Sequence, residues 1–144
     1  MRKSYAAKAF SCPQPVFIIA TYNEGGTADA MNAAWGGISD TTELPICLSE
    51  SHKTVKNLLR TGAFTVSMGD AKHVAACDYV GIASGNNTKD KLAKAGFTVS
   101  KSESVDAPLS MSWLSAWSAP SRATTPRPAA WWARSSTSAW TNLP

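Results

Sequence analysis

Residues 29–37 read Asp-Ala-Met-Asn-Ala-Ala-Trp-Gly-Gly, and no other stretch says more about how this chain folds. Small residues flank one methionine and one tryptophan, directly after an apolar segment and a turn. A backbone bordered by alanine and glycine lets a flat ligand approach closely, because little side chain stands in the way. Met31 and Trp35 offer such a ligand a polarizable contact and an aromatic wall. The stretch predicts a platform for a flat ligand, the alternative being that Met31 and Trp35 are ordinary core residues.

Strands in hairpins, with helices inserted between them, are predicted around this stretch. Residues 16–21 are apolar and β-branched, and Asn23-Glu24-Gly25-Gly26 follows as a turn, so residues 27–35 are expected to return as the second strand of a hairpin. The pattern favours a small, mainly antiparallel barrel over a doubly wound sheet. Further strands are expected at residues 45–49, 63–68 and 97–100.

Three helices are predicted from their capping signals. Each begins after a residue whose side chain accepts hydrogen bonds from free backbone amides, and two of them stop at a glycine. The expected segments are residues 52–60 (N-cap Ser51, stop at Gly62), residues 71–79 (N-cap Asp70), and a short helix from Thr88 or Asp90 to Gly96.

Residues 49–54, Ser-Glu-Ser-His-Lys-Thr, form a second candidate site. They combine hydroxyl groups, the charge of Lys53 and the predicted start of a helix, whose free amides and dipole favour an anion. Lys53 supplies a point charge, and Ser51 and Thr54 supply hydrogen-bond donors. The pattern indicates a phosphate site. The alternative is a plainly capped helix with Lys53 and His52 in solvent.

Several motifs follow one another in a definite order. After residues 15–22 and 31–37 come the segments 47–54, 62–67, 77–85 and 91–97, and then Val105-Asp106-Ala107-Pro108. In order and spacing they resemble the flavin reductase-like, FMN-binding split-barrel family, in particular its flavoredoxin group. The resemblance runs from about Tyr5 to Pro108. It implies a mainly β fold with inserted helices, a split β-barrel that is incomplete at its C-terminus because the motifs stop near Leu109.

The resemblance implies FMN as the cofactor and a role for each candidate segment. The flavin ring would lie on residues 30–35, with Asn32 and backbone groups bonding its edge, and the phosphate would lie at residues 49–54. The loop with Ser84 and Gly85 resembles one that closes over flavin, although Asn86 stands where relatives often carry arginine. The implied cofactor-binding residues are Ala30, Met31, Asn32, Ala33, Ala34, Trp35, Ser49, Ser51, His52, Lys53, Thr54, Ser84 and Gly85.

The same resemblance implies an FMN-dependent oxidoreductase. Hydride would pass from NADH or NADPH to the flavin, and electrons onward to free flavin, an iron complex or a partner protein. No catalytic side chain is expected, because flavin chemistry needs mainly orientation; Cys77 is expected to be a small buried residue and His73 a surface residue. A homodimer is the expected assembly. The alternatives are a flavin-binding electron carrier and an inactive truncated product without turnover.

Composition and charge argue against other classes of function. The formal charge is +4, but all ten acidic residues precede Pro108 and three of the fourteen basic ones follow it, so the excess belongs to the tail. Three scattered cysteines show no zinc spacing and predict a reduced, cytoplasmic setting. The longest aliphatic run, residues 16–20, is too short to span a membrane. We therefore expect no metal, no nucleic acid and no membrane as partners.

Residues 109–144 form a tail that differs in kind from residues 1–108, the expected flavin reductase-like domain. The tail holds five of the six tryptophans but no Gly, Val, Ile, Phe, Tyr, Asp or Glu. Disordered segments are normally poor in aromatics and folded ones rich in aliphatics, so it fits neither class. We hypothesise a family sequence translated in a wrong reading frame, because residues 132–140 can be back-translated so that a β-rich segment appears two bases on. The rival interpretation is a native Trp/Arg-rich tail that binds a partner such as nucleic acid.

Overall fold

An antiparallel hairpin forms the part of the fold from which the other elements are placed. The computed structural model describes residues 13–40, 43–110, 116–123 and 130–134. Strand β1 (Phe17–Tyr22) pairs with β2 (Ala28–Ala33) along its whole length. The turn between them closes with a hydrogen bond from Asn23 N to Thr27 O of 2.8 Å, and Gly26 has a φ of 79°. A positive φ costs glycine little, so the sequence Asn23-Glu24-Gly25-Gly26 suits this turn, as predicted.

The hairpin belongs to a six-stranded antiparallel sheet of order β2-β1-β4-β7-β8-β3, and a separate pair joins β5 with β6. The predicted strand at residues 63–68 is confirmed, while the predicted strands at 45–49 and 97–100 are shifted by about two residues. The remaining strands are β3 (Glu43–Cys47), β4 (Ala63–Met68), β5 (Val99–Lys101), β6 (Pro108–Ser110), β7 (Ala116–Ala123) and β8 (Ala130–Arg134).

The segment after β2 leaves that strand and pairs with β3 instead. Cys47 N donates to Trp35 O at 2.7 Å, and Gly37 N donates to Pro45 O at 3.2 Å. A Cβ atom at Gly36 would lie 2.9 Å from Pro45 O, so only glycine fits between the two segments. The expectation that β2 continues to Trp35 is therefore wrong, because the backbone turns to the other end of the sheet after Ala33.

Two strands of the main sheet come from the region expected to be an atypical tail. β7 pairs with β4 from Ala63↔Pro120 to Ser67↔Ala116, and β8 pairs with both β7 and β3. The Trp/Arg-rich composition is thus compatible with strands in this sheet. Trp113, Arg127 and Trp140 lie outside the described residues. The incompleteness of the barrel and the reading-frame hypothesis stay predictions.

Helix α1 (Lys53–Thr61) begins one residue later than predicted and without the predicted cap. His52 occupies the N-cap position with no hydrogen bond from its side chain, and the hydroxyl of Ser51 lies 3.0 Å from that of Ser49 instead. Ser51 is therefore not the N-cap. The C-terminus matches the prediction: Gly62 adopts a left-handed φ of 67°, and its N–H donates to Leu58 O at 2.9 Å.

The second helix starts as predicted and ends later. The side chain of Asp70 accepts a 2.8 Å hydrogen bond from His73 N, and a 3₁₀ turn (Ala71–His73) leads into α2 (Val74–Ile82). The predicted end at residue 79 is wrong by three residues. The third helix, α3 (Lys91–Lys94), is a single turn whose preceding residue, Asp90, has a left-handed φ and makes no side-chain cap.

Both faces of β1 are buried, and this divides the core in two. Alternate residues of the strand point to opposite faces. Phe17 and Ile19 pack with α1, β3 and β4, whereas Ile18 and Ala20 pack with α2 and with residues around α3. This arrangement leaves β2 at one end of the sheet order, between the two layers of helices. Of the helices in the described part of the chain, none combines the length and the apolar character that crossing a bilayer requires.

Candidate functional site

A cleft of ≈ 230 Å³ lies beside β2, where the N-terminus of α1 meets the C-terminus of α2. Three separate parts of the chain form most of its walls, namely strand β2, the start of α1 and residues 80–85, and Lys91 of α3 adds to them. Seven of the thirteen predicted cofactor-binding residues line it, and their role in binding stays a prediction. They are Met31, Asn32, His52, Lys53, Thr54, Ser84 and Gly85.

The other six predicted residues do not line this cleft. Ala30 and Ala33 are buried in the two core layers: Ala33 packs in the layer of Phe17 and Ile19, and Ala30 packs in that of Ile18. Trp35 is 64 % exposed on the segment that pairs with β3. The strand ends at Ala33, before the last two residues of the run 30–35, and the platform over this run stays a prediction. Ala34, Ser49 and Ser51 also lie away from the cleft walls.

The wall formed by β2 offers one apolar and one amide side chain. Met31 and Asn32 are both half-buried, and because they are adjacent in the strand they stand on opposite sides of its backbone. Helix α2 approaches Asn32 so closely that a Cβ atom at Gly81 would lie 2.9 Å from the Asn32 Cβ. Gly81 thus allows the helix to reach the strand, and the amide of Asn32 remains beside the cleft.

The start of α1 contributes a cation, a hydroxyl and free backbone amides. Lys53 is half-buried, Thr54 is buried, and His52 is exposed at the rim. The first N–H groups of an α-helix have no partner within the helix, and the helix dipole makes this end positive. The combination can hold an anionic group, as the sequence predicted for residues 49–54, although the two serines of that segment stand outside the cleft.

The loop after α2 is tied to α1 by Asn86. The side-chain amide of Asn86 donates to Ser51 O at 3.0 Å, and Lys56 Nζ donates to Asn86 Oδ1 at 3.2 Å. Ser84 and Gly85, which precede this anchor, form part of the cleft wall. Asn86 therefore holds the loop against α1 through hydrogen bonds.

The sequence did not predict the buried ion pair that lies at the cleft. Lys91 Nζ lies 3.2 Å from Asp29 Oδ1, and both side chains are only 3 % exposed. Asp29 Oδ2 also accepts a 3.4 Å hydrogen bond from Thr54 Oγ1. A signal was present: Asp29 is the one charged residue of β2, and a buried carboxylate needs a partner. The partner could not be foreseen, since it lies sixty-two positions along the chain.

A second, larger hollow of ≈ 410 Å³ adjoins the cleft. Asp29, Lys53, Gly85 and Lys91 line both, so the two share a wall. The lining of the hollow includes the side-chain amides of Asn23, Asn86 and Asn87, and Lys89 in addition to Lys53 and Lys91. A ligand with a polar extension could therefore reach from the cleft into this hollow past Lys53.

Other titratable groups lie away from the cleft. His73 Nδ1 lies 2.8 Å from Asp70 Oδ1, and the centroid of the His73 ring lies 6.5 Å from that of Phe97. The His73 side chain is 26 % exposed, so it lies at the surface in contact with these neighbours. Desolvation raises the pKa of Asp70. Hydrogen bonds from the backbone and side chain of His73, the charge of His73 and a hydrogen bond from the Lys72 N–H outweigh it, so the pKa of Asp70 lies below its ordinary value of 3.8.

Cys77 is buried, as predicted. The described residues include no cluster of three His, Cys, Asp or Glu that could hold a metal ion.

Comparison with known proteins identifies the family. A family model described as the flavin reductase like domain matches residues 9–116. The chain belongs to the flavin reductase-like domain family. The match confirms the resemblance inferred from the motifs and extends eight residues past Pro108, where those motifs end. A comparison with curated proteins finds no match.

Solved structures of this flavin reductase-like family share the fold. The flavoredoxin of Desulfovibrio vulgaris (Miyazaki F) superposes with a TM-score of 0.89 at 29% identity, over 95% of this chain and 75% of the other. The flavoredoxin of Methanosarcina acetivorans gives 0.81 at 20% identity, over 95% and 74%. An FMN-binding domain of a flavin reductases-like enzyme from Shewanella baltica OS155 gives 0.74 at 18% identity, over 85% and 66%. The chain thus spans about three quarters of the length of the flavoredoxins, and the predicted flavin reductase-like split-barrel fold is confirmed.

Proposed function

We propose that this chain binds FMN in the cleft beside β2 and acts as an FMN-dependent oxidoreductase of the flavin reductase type, with NADH or NADPH as co-substrate. The observation that carries the proposal is the meeting of three walls at one cleft: a strand face with Met31 and Asn32, the start of α1 with Lys53, and the loop with Ser84 and Gly85. Structural likeness to flavoredoxin at 29% identity supports it.

The residues present fit a flavin mononucleotide. A tricyclic ring needs an apolar wall and a few hydrogen-bonding groups, and Met31, Val80 and Ile82 provide the wall while Asn32 provides an amide. A phosphate needs a cation and free N–H groups, and Lys53 stands on the first turn of α1. The cleft of ≈ 230 Å³ is small for the whole molecule, but the adjoining hollow of ≈ 410 Å³ extends it on the side of Lys53.

Bound flavin would supply the redox chemistry, namely acceptance of hydride and onward transfer of electrons. The side chains of this chain would bind and orient it. Lys53, Thr54 and His52 would hold the anionic end, and Ser84 and Gly85 would cover it from the loop. In this proposal Ala30, Ala33 and Ala34 contribute through the backbone shape of β2 and its continuation, and Trp35, Ser49 and Ser51 lie at a distance from the cofactor. The electron acceptor and the choice of nicotinamide stay open.

Direct titration tests the binding step. Addition of the purified chain to FMN is expected to quench flavin fluorescence to a stoichiometric end point. The variant Lys53→Gln removes the proposed phosphate cation and should weaken FMN binding about tenfold at low salt, with a smaller difference at high salt because ions screen the charge. Lys94→Gln, which changes an exposed lysine outside the cleft, serves as the matched control. Failure of the unaltered chain to take up FMN would contradict the proposal.

A flavin-binding electron carrier without nicotinamide turnover is the second candidate function. The structural likeness to flavoredoxin, at a TM-score of 0.89, supports an electron carrier as much as a reductase. Steady-state oxidation of NADH or NADPH in the presence of added FMN separates the two. Turnover that saturates with nicotinamide identifies a reductase. Stoichiometric FMN uptake without turnover identifies a carrier, and the absence of both would indicate an inactive product.

A homodimer and a cytoplasmic location belong to the same proposal. Exposed large apolar side chains support an assembly: Trp35 is 64 %, Ile38 68 % and Ile82 77 % exposed. Ile82 also lines the cleft, so a second copy seated there would cover it. Light scattering coupled to size exclusion is expected to give twice the mass of 15.2 kDa. A monomer at all concentrations would contradict this part of the proposal.

A further inference from the structure

The buried pair of Asp29 and Lys91 calls for an explanation beyond stability. The two charged groups lie 3.2 Å apart with side chains 3 % exposed. Taking two charges out of water costs about as much as their attraction returns, so a buried ion pair adds little stability over an apolar pair of the same volume. The pair lines both the cleft and the adjoining hollow, which places it at the candidate site.

The carboxylate lies at the end of α1 that would receive an anion. Asp29 Oδ2 accepts a hydrogen bond of 3.4 Å from Thr54 Oγ1, and Thr54 is the second residue of α1. Lys53, the proposed phosphate cation, precedes it and lines the same cleft as Asp29. The negative charge of Asp29 is therefore directed at the positive end of the helix dipole.

An unpaired carboxylate in this position would oppose the binding of a phosphate. Its charge would repel the phosphate. It would also take the favourable interaction with the positive end of the helix dipole that a bound anion would otherwise have. The ammonium group of Lys91 cancels that charge at 3.2 Å. With Asp29 neutralised, Lys53 and the helix terminus leave the cleft with a net attraction for an anion.

Lys91 also holds the wall of the cleft. Its Nζ donates to Ala83 O at 3.1 Å and to Val80 O at 3.4 Å, both at the C-terminal end of α2. These carbonyls belong to residues that line the cleft. One buried ammonium thus joins α3, β2 and the end of α2.

We propose that Lys91 is a positioning residue that neutralises Asp29 at the start of α1 and thereby lets the cleft discriminate in favour of a phosphorylated flavin. The inference rests on the proposed binding of FMN and adds to it the residue pair that decides phosphate selectivity. It assigns no role to Lys91 in electron transfer.

Comparison of FMN with riboflavin, which lacks the phosphate, tests the inference without any turnover assay. Fluorescence titration is made with the unaltered chain, Asp29→Asn, Lys91→Met, the double variant, and Lys94→Met as the control from the same helix. Because Lys91→Met exposes the charge of Asp29 at the proposed phosphate, it should weaken FMN binding by about ten- to a hundredfold and riboflavin binding by only about threefold. The double variant should restore most of the selectivity.

The single variant Asp29→Asn keeps the test decisive if Lys91→Met does not fold. It removes the negative charge and should leave the preference for FMN over riboflavin equal to or higher than that of the unaltered chain. Two results would overturn the inference and leave the proposed function standing. One is an equal loss of affinity for FMN and riboflavin in Lys91→Met, with no recovery in the double variant. The other is a lowered preference for FMN over riboflavin in Asp29→Asn. Failure of the unaltered chain to bind FMN would overturn the proposed function and this inference together.

Discussion

At the scale of single residues, glycine at position 85 makes the arrangement around Asp29 possible. A Cβ atom at Gly85 would lie 2.7 Å from Asp29 Oδ1 and 2.8 Å from Oδ2. The carboxylate is fixed by Lys91 and Thr54, so it has little freedom to move away. The loop can therefore come this close to the ion pair only because Gly85 has no side chain. The shape of the cleft depends on this close contact.

The substitution Gly85→Ala is expected to push the loop away from Asp29 and to weaken FMN binding by about tenfold, because overpacking at a close contact forces the backbone to shift. Fluorescence titration measures the change. Gly25→Ala is the matched control: a Cβ atom at Gly25 would meet nothing within 4 Å. Equal affinities for the two variants would show that the close contact at Gly85 does not shape the site.

At the scale of elements, a buried amide on helix α1 bonds that helix to the turn end of the hairpin. Asn57 Nδ2 donates to Thr21 Oγ1 and to Asn23 Oδ1, each at 3.0 Å, and Asn57 is 2 % exposed. The same helix presents Lys53 and Thr54 to the cleft. The position of the candidate phosphate site thus depends on a hydrogen-bonded contact four residues further along the helix.

The substitution Asn57→Ala should lower the free energy of unfolding by about 2 kcal/mol, because it leaves Thr21 Oγ1 buried without this partner. Urea unfolding followed by circular dichroism measures the loss. Leu59→Ala on the exposed side of the helix should change it by less than about 0.5 kcal/mol. A loss of the same size in both variants would contradict the role given to the amide.

Asp70 caps the 3₁₀ turn that leads into α2, and the stabilisation that this cap provides depends on pH. Desolvation raises the pKa of Asp70, but the hydrogen bonds from His73 and its charge prevail and lower it from 3.8. A carboxyl group whose pKa is depressed in the folded state stabilises that state above the unfolded value. This contribution is lost as pH falls through the folded-state value.

Asp70→Asn should therefore be less stable than the unaltered chain at about pH 6, and the difference should narrow as pH falls below about 4. Urea midpoints at several pH values measure it. Asp78→Asn, which changes an exposed acid on α2, is the control. A stability difference between the two chains that does not change from pH 6 to acidic pH would contradict the role given to the ionised Asp70 carboxylate.

At the scale of the whole molecule, the main sheet depends on β7 and β8. β7 pairs with β4, and β8 pairs with β3 from Glu43↔Arg134 to Cys47↔Ala130. In the described part of the chain, β3 joins the rest of the sheet only through β8 and the contacts around Gly36. Without β7 and β8, β4 and β3 would each lose the strand that hydrogen-bonds to one of their edges.

A chain that ends at Ser110 is expected to lose cooperative unfolding and to aggregate, since exposed strand edges pair with other molecules. Size exclusion and thermal unfolding test this, with a chain ending at Ser135 as the control that keeps both strands. A monodisperse, cooperatively folding chain of residues 1–110 would contradict it. The reading-frame hypothesis has a separate test, because the gene read two bases on either encodes a family-like segment or does not.

Much of the fold could be predicted from local sequence because its determinants are local. The Asn23–Gly26 turn, the left-handed Gly62 and the Asp70 cap each depend on a few adjacent residues whose backbone preferences are strong. The order and spacing of the motifs were sufficient for the family, and the family model confirms it. The same motifs predicted seven residues that the structure brings to one cleft.

Contacts between distant segments were decided by the tertiary structure alone. The turn of the chain after Ala33 depends on hydrogen bonds to Pro45 and Cys47, so the position of Trp35 could not be foreseen from the strand pattern. The pairing of Asp29 with Lys91 joins β2 to α3 through space and gives no periodic signal in either segment. Propensity and capping act within a few residues, whereas the packing of β2 against three helices determines which of its side chains reach the cleft.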